Sequence, residues 1–255
     1  MTTDLATDTE SFARDGYLVV RNVFQPDELA ALASEAQTLI ERTELIDVQN
    51  IRCRWQDHCE TKECLFDCFD PVIDIGPVCR AVARDERILA ILRAIYDDDA
   101  HLLKDKLIFK PPGAKGYALH QDYIAWKEFP ESFTTVIVAI DPSDATNGAV
   151  EVFAGYHRGG LMSPPDGMYH ELPAAAVDAS RGVVLELQPG DIAMFGGFTP
   201  HRSAQNKSDR WRRQLYLSYN AARDGGDQRE AHYRQFHAWL KDRYAEYGKT
   251  NVYFH

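Results

Sequence analysis

No stretch of 18 apolar residues occurs anywhere in this 255-residue chain, so nothing in it reads as a membrane-spanning helix. The first ten residues, Met1 to Glu10, are polar and acidic and lack the basic and apolar regions of a secretory signal. The cytoplasm is therefore the expected location. A basic surplus is missing too. Against 28 Lys and Arg stand 39 Asp and Glu, a formal net charge of −11, whereas a nucleic-acid binder would carry a basic face. Neither nucleic acid nor membrane is expected as a partner, and oligomeric state leaves no signal. Repeats and low-complexity segments are absent. Cysteine is sparse and oddly placed: Cys53, Cys59, Cys64, Cys68 and Cys79 fall in one segment, with His58 among them. An odd count in a chain without a signal argues against a disulfide framework. Structural zinc favours tight ligand pairs, and only Cys64 and Cys68 come close, so reduced thiols are expected.

What is present is an ordinary soluble composition, 45% hydrophobic and 26% charged. That suffices for one barrel-type domain over 1–255 with some decoration. The chain is organised around Gly116-Tyr117-Ala118-Leu119-His120-Gln121-Asp122-Tyr123. On an extended strand His120 and Asp122 leave from the same face, and an imidazole with a carboxylate can grip a metal ion from one side. His201, in Thr199-Pro200-His201-Arg202-Ser203, is the candidate third ligand. Two histidines and one carboxylate form the facial triad of non-haem Fe(II) oxygenases, which leaves coordination positions open for co-substrate and oxygen. Arg212 follows eleven residues after His201, and its planar fork of donors matches a carboxylate bidentately. Around these residues the pattern reads strand, turn, strand. Leu102 to Phe109 precedes a Pro-Pro-Gly turn, Leu185 to Phe195 carries a Pro-Gly-Asp turn, and Trp211 to Tyr219 places Arg212 on one face with Gln214, Tyr216 and Ser218.

With these pieces in view the chain resembles the phytanoyl-CoA dioxygenase family of Fe(II)/2-oxoglutarate oxygenases over nearly its whole length. The matching motifs are Asp15-Gly16-Tyr17-Leu18-Val19-Val20, Phe24-Gln25-Pro26-Asp27-Glu28 and Lys110-Pro111-Pro112-Gly113 leading to His120-Gln121-Asp122. The run Asn147 to Arg158, Pro189-Gly190-Asp191, and His201 with Ser203 and Arg212 complete them. The resemblance implies a mainly β fold with peripheral helices around a double-stranded β-helix, the cupin-like jelly roll. It implies Fe(II), 2-oxoglutarate and dioxygen as reactants. His120, Asp122 and His201 would be the iron ligands, Arg212 and Ser203 the contacts to the far carboxylate of 2-oxoglutarate, and Lys106 and Thr135 further co-substrate contacts. Halogenating relatives lack the carboxylate; Asp122 is present, which favours hydroxylation or a related oxidation.

Read in order, Thr7 to Arg14 and Pro26 to about Arg42 suggest helices flanking a strand at Tyr17 to Val20. Residues 44–70 show no clear period and are expected to lie over the barrel mouth as a lid. Ile75 to Tyr96 reads as one or two helices, Phe133 to Ile140 as a central strand, and Gln228 to Tyr247 as a helix docked by one aromatic face. The long stretch 161–179, with His170 and Glu171, is a second lid candidate. His157 rivals the ligands but lacks a carboxylate at the right offset and reads as supporting structure.

The substrate is expected to be a small polar metabolite, with Trp126, Tyr123, Lys104 and Arg54 as candidate contacts. Lys104 with Arg52 or Arg54 would suit an anion such as an aminophosphonate, and compatible solutes belong to the same range. Glu60, Glu63 and Asp67 in the possible lid would suit a cationic amino sugar, and tailoring of a polar secondary metabolite is the marginal preference. The reading from a different class is a non-redox cupin-type isomerase or epimerase, which would have no use for Arg212 or 2-oxoglutarate.

Overall fold

Alternation of side chains along the long strands decides how the molecule layers. The structure, a computed structural model, describes residues 5–250 and 252–254. Strand β6 (Thr134–Ala139) sends Val136 and Val138 to one face and Ile137 and Ala139 to the other, and all four are buried. Strand β9 (Ile192–Gly196) divides Ile192 and Met194 from Ala193 and Phe195 in the same way. A strand buried on both faces reads as a continuous apolar run, which is how Phe133 to Ile140 appears in the sequence. These strands belong to a seven-stranded antiparallel sheet. Its order is β1 (Tyr17–Val20), β9, β6, β11 (Gln214–Ala221), β4 (Ala100–Ile108), β3 (Cys64–Phe69) and β2 (Cys53–Asp57). The second sheet has four strands, in the order β5 (Tyr117–His120), β10 (His201–Ser203), β7 (Val150–Phe153) and β8 (Gly182–Val184). Together the two sheets form the jelly-roll core.

One apolar layer, including Ile137, Val152, Leu187, Phe195 and Tyr216, fills the space between the sheets. The other face of the large sheet is covered by helices α2 (Pro26–Glu41), α3 (Pro77–Val82) and α4 (Glu86–Tyr96), with α1 (Leu5–Asp15) packed against α4. Each helix starts where its sequence says it should. Pro26 opens α2 with Glu28 Oε2 accepting from the Gln25 N–H at 2.8 Å, and Asp85 caps α4 by accepting from the Arg87 N–H. Helix α5 (Arg229–Tyr247) buries His232, Tyr233, Phe236, Leu240 and Arg243, a three- and four-residue spacing that defines one face. Each fully buried Phe or Leu contributes about 1.5–3 kcal/mol. Among the described residues no helix is long and apolar enough to cross a membrane.

Two expectations are corrected here. Residues 44–70 are not an irregular lid. Strands β2 and β3 form a hairpin that extends the large sheet, with Cys68 opposite Ile108 and Phe69 opposite Leu107. Its period is obscured because Arg54 and Gln56 are buried where apolar residues would be expected, and a bulge falls between Arg54 and Trp55. The strand expected at Leu185 to Gln188 lies three residues earlier, at Gly182–Val184. The chain turns at Glu186, whose N–H bonds back to Val184 O at 2.9 Å, and Leu187 keeps a single bridge to Ser143.

Candidate functional site

The ends of β5 and β10 meet in antiparallel register with His201 directly opposite His120. Gly116, at φ +82°, makes that approach possible. A Cβ there would lie 2.3 Å from Ser203 O, a clash any other residue would bring into a left-handed conformation. The two imidazole rings are 4.3 Å apart, and Phe195 packs 4.5 Å from His201. His120 Nδ1 lies 2.7 Å from Ala118 O and His201 Nδ1 3.0 Å from Thr199 O. A carbonyl only accepts, so each Nδ1 carries the hydrogen and each Nε2 presents a lone pair to the centre. Asp122 Oδ2 accepts from Thr135 Oγ1 at 3.0 Å, which leaves Oδ1 free. Oδ1 stands 3.7 Å from both Nε2 atoms. That is too long for a hydrogen bond, yet within the span two bonds of about 2.1 Å to one ion can bridge. One atom from each residue lies within 4.8 Å of the others, the one His, Cys, Asp and Glu cluster of this kind among the described residues.

Electrostatics favours the ligating forms. Burial and the neighbouring His120 pull His201 down to about 4, so its imidazole is neutral near pH 7. Burial alone would raise Asp122, but His201, His120 and Lys106 hold it far below the ordinary carboxylate range. Thr135 is therefore engaged with the carboxylate and with Ser218 Oγ at 3.1 Å. It does not line the cavity, and the expected co-substrate contact at Thr135 gives way to support of Asp122. Thr135→Val is expected to weaken Fe(II) binding about 10- to 100-fold, as loss of a partner behind a metal ligand does. Anaerobic metal titration checks this, with Thr135→Ser retaining affinity.

The cavity in front of these atoms is lined by Lys106, Ser203, Arg212 and Tyr216 together with Asp70, Tyr117, Tyr169, Tyr253 and Phe254. Arg212 lies just before β11, is 2% exposed, and leaves Nε and Nη1 without a hydrogen-bond partner. Lys110, also buried, is pulled down to about 6 by burial and by Arg212. Its Nζ donates to Gly148 O and Ala204 O. A buried guanidinium with idle donors facing a cavity is a site for an anion. The donor set and this unpaired fork together fit Fe(II) with a dicarboxylic oxo-acid.

Four expected substrate contacts fall elsewhere. Arg54 is buried and donates to the carbonyls of Ile51, Cys53 and Asp70. Lys104 pairs with Asp70 at 3.4 Å and sits 3.6 Å over the Phe236 ring. Both are held behind the cavity by Asp70. Trp126 packs under α5 against Trp239, with its indole N–H on Gly167 O. Tyr123 stacks on Phe198 at 4.4 Å. The step past Asp122 turns both rings away from the metal end. His157 bonds Ala13 O at 3.1 Å beside α1, away from the cluster. The sequence reading missed Asp70, Tyr117, Tyr169, Cys68, Tyr253 and Phe254. The available signal was the aromatic pair Tyr253-Phe254 after a polar stretch, and an aspartate, Asp70, standing between Phe69 and Pro71.

Comparison with known proteins gives a consistent picture. The family model described as phytanoyl-CoA dioxygenase matches residues 12–214. The chain is 31% identical to the 2-aminoethylphosphonate dioxygenase of uncultured bacterium HF130_AEPn_1 over 188 residues, 71% of each chain. It is 34% identical to the methylphosphonate hydroxylase of Gimesia maris over 145 residues, 55% of this chain and 52% of that one. Among solved structures, EctD from S. alaskensis with 2-oxoglutarate and 5-hydroxyectoine superposes with a TM-score of 0.71 at 22% identity, covering 89% of this chain and 83% of that one.

Proposed function

The chain belongs to the phytanoyl-CoA dioxygenase family of Fe(II)- and 2-oxoglutarate-dependent oxygenases, and on that premise we propose that it oxidises a C–H bond of a small, anionic polar metabolite of the phosphonate kind. The observation that carries the reading is a single cavity. In it two Nε2 atoms and one carboxylate oxygen converge, facing a buried guanidinium whose Nε and Nη1 have no partner among the described residues. His120, Asp122 and His201 hold Fe(II), and Arg212 with Ser203 takes the far carboxylate of 2-oxoglutarate. Bound iron and 2-oxoglutarate supply the activation of dioxygen and the oxidising power. The protein supplies position and dryness. The fixed Nδ1 donors hold both rings in register, and the Thr135 hydroxyl fixes the rotation of Asp122. The aromatic wall from Tyr117, Tyr169, Tyr253 and Phe254 keeps water from the reacting end.

Charge selects the substrate class. Glu60 and Glu63 are exposed and away from the cavity, and Asp67 is spent on Gln56 and the Tyr117 hydroxyl. The acidic lid that would have welcomed an amino sugar therefore does not form. Lys106 lines the cavity, with its ammonium 5.3 Å from the Tyr216 ring, and makes no ion pair among the described residues. Burial opposes its charge, but Asp122 and Asp70 keep its pKa raised. It is the cation available to both co-substrate and substrate. The relatives reported above that share 31% and 34% identity are named for phosphonates.

Anaerobic titration with Fe(II), then 2-oxoglutarate, tests the cofactor assignment. The weak visible charge-transfer band should appear in the wild type and vanish in His120→Ala and Asp122→Ala. Metal binding without a band would move a non-redox isomerase to the front. Succinate release with a panel of small phosphonates then tests the substrate class, and turnover confined to cationic sugars would contradict it.

A further inference from the structure

After α5 the chain returns across the mouth of the site. Val252 is 2% exposed and packs with Tyr233, Phe236 and Leu240 of α5. Tyr253 stacks on Trp239 at 6.1 Å and meets Tyr169 at 5.7 Å and Tyr117 at 6.4 Å, edge to face. Phe254 places its ring 5.5 Å from that of His120, edge to face. Side-chain packing dominates the contacts of this strap. Among the described residues, no backbone hydrogen bond of 252–254 is found.

The strap stands between two cavities. The inner one, about 80 Å³, contains the His-Asp-His cluster and Arg212. The outer one, about 350 Å³, lies between Trp55, Lys115, Glu171 and the strap. Tyr117, Ser203, Tyr253 and Phe254 border both. Of these, Tyr117 and Ser203 are fixed in strands, and the Tyr117 hydroxyl is anchored on Asp67 at 2.6 Å. The movable part of the partition is therefore the strap. Segments with few backbone hydrogen bonds open at low free energy, whereas moving Tyr117 would break β5 from β10.

We propose that Tyr253 and Phe254 are the gate and the substrate-facing wall of the inner cavity. Substrate enters from the outer cavity when the strap lifts, and the two rings set the size of molecule that reaches the metal end. This rests on reading the inner cavity as the active site. With the strap down, the rings also complete the dry wall that keeps solvent from a loaded but substrate-free centre.

Cys68 makes the gate measurable without turnover. Its thiol lines the inner cavity and is 2% exposed, while Cys79 is 0% exposed in the helical layer of the core. Site-resolved alkylation of the full chain with iodoacetamide, and with a bulkier maleimide, reads the two separately by mass spectrometry. Phe254→Ala and Tyr253→Ala should each speed labelling of Cys68 by about tenfold, the scale of a modest local opening. The maleimide should gain more than iodoacetamide, and Cys79 should keep its rate. Phe254→Leu and Tyr253→Phe, which keep most of the bulk, should restore the wild-type rate. An unchanged rate at Cys68, or a rise at Cys79 of the same size, would overturn the gate. Because labelling needs neither metal nor co-substrate, its outcome is independent of the Fe(II) titration above.

Discussion

Arg212→Met should cost the enzyme its hold on 2-oxoglutarate while leaving both Fe(II) binding and the stability of the unloaded protein intact. The first half follows from what Arg212 has to offer. Truncating one side of a buried, hydrogen-bonded charge pair costs about 2–5 kcal/mol, which is roughly one and a half to three and a half powers of ten in Kd. The second half follows from what Arg212 lacks. An arginine that serves the fold is satisfied inside the fold, as Arg213 is by bidentate bonds to Asp141 at 2.8 Å. Arg212 is 2% exposed, yet two of its donors have no partner among the described residues, and Lys110 nearby is a base, not a counterion. A buried charge without its counterion burdens the unloaded protein, so replacing it with a thioether of similar reach should leave the urea midpoint unchanged or raise it. Arg212→Lys should fail nearly as badly as Arg212→Met in co-substrate binding, because a point charge cannot reproduce the planar fork. Parallel losses of stability and of 2-oxoglutarate affinity would instead make Arg212 a structural residue. The separation between the two readouts is what identifies a ligand arginine.

The same contrast explains what was legible in the sequence. His120 and Asp122 could be paired because a strand repeats every two residues, and one intervening residue puts them on a shared face. His201 and Arg212 could be added because each stands beside turn and strand signals that survive in one dimension. The central strands were legible for the opposite reason: Thr134 to Ala139 is buried throughout, and Val136 to Ala139 is an uninterrupted apolar run. The hairpin β2–β3 was not legible, since its inward positions carry Arg54 and Gln56, whose partners Asp70 and Asp67 are 16 and 11 residues away. A buried polar network looks like a surface loop until its partners are known. Tyr253 and Phe254 act through contacts with Tyr117 and His120, more than a hundred positions earlier in the chain. Local periodicity carries no trace of contacts at that range. Trp126 and Tyr123 show the converse: both stand near Asp122 in sequence, yet their rings pack on Trp239 and Phe198.

Asp70 supports the second large effect. One carboxylate, 1% exposed, serves two buried cations: Lys104 Nζ at 3.4 Å and Arg54 Nε at 3.5 Å from the same oxygen, Oδ2. The Tyr233 hydroxyl lies 3.0 Å from Oδ1. Burial would raise the pKa of Asp70, but Lys104, Arg54 and Lys106 outweigh it and hold it at about 2. Lys104 shows the cost of that arrangement: burial, with Lys106 and Arg54 close by, brings it down to about 8 despite Asp70. Two cations pair with one anion, and a third, Lys106, lies close by. Asp70→Asn should therefore destabilise the protein by about 3–5 kcal/mol, the cost of leaving buried charge uncompensated. Adding Lys104→Met should recover a large part of the loss, since it removes one of the stranded cations and leaves an apolar stem against Phe236. The pH dependence has a definite sign. A carboxylate depressed from 3.8 to about 2 contributes about 2.5 kcal/mol, at about 1.4 kcal/mol for each pH unit. That contribution is fully present above pH 3.8 and is lost as pH falls through 2. The Asp70 contribution to the gap between wild type and Asp70→Asn, measured by urea unfolding, should thus fade below pH 4, so the gap should narrow there. A gap that widened below pH 4 would mean that Asp70 is protonated in the native state, and that the cations beside it are held by something other than its charge.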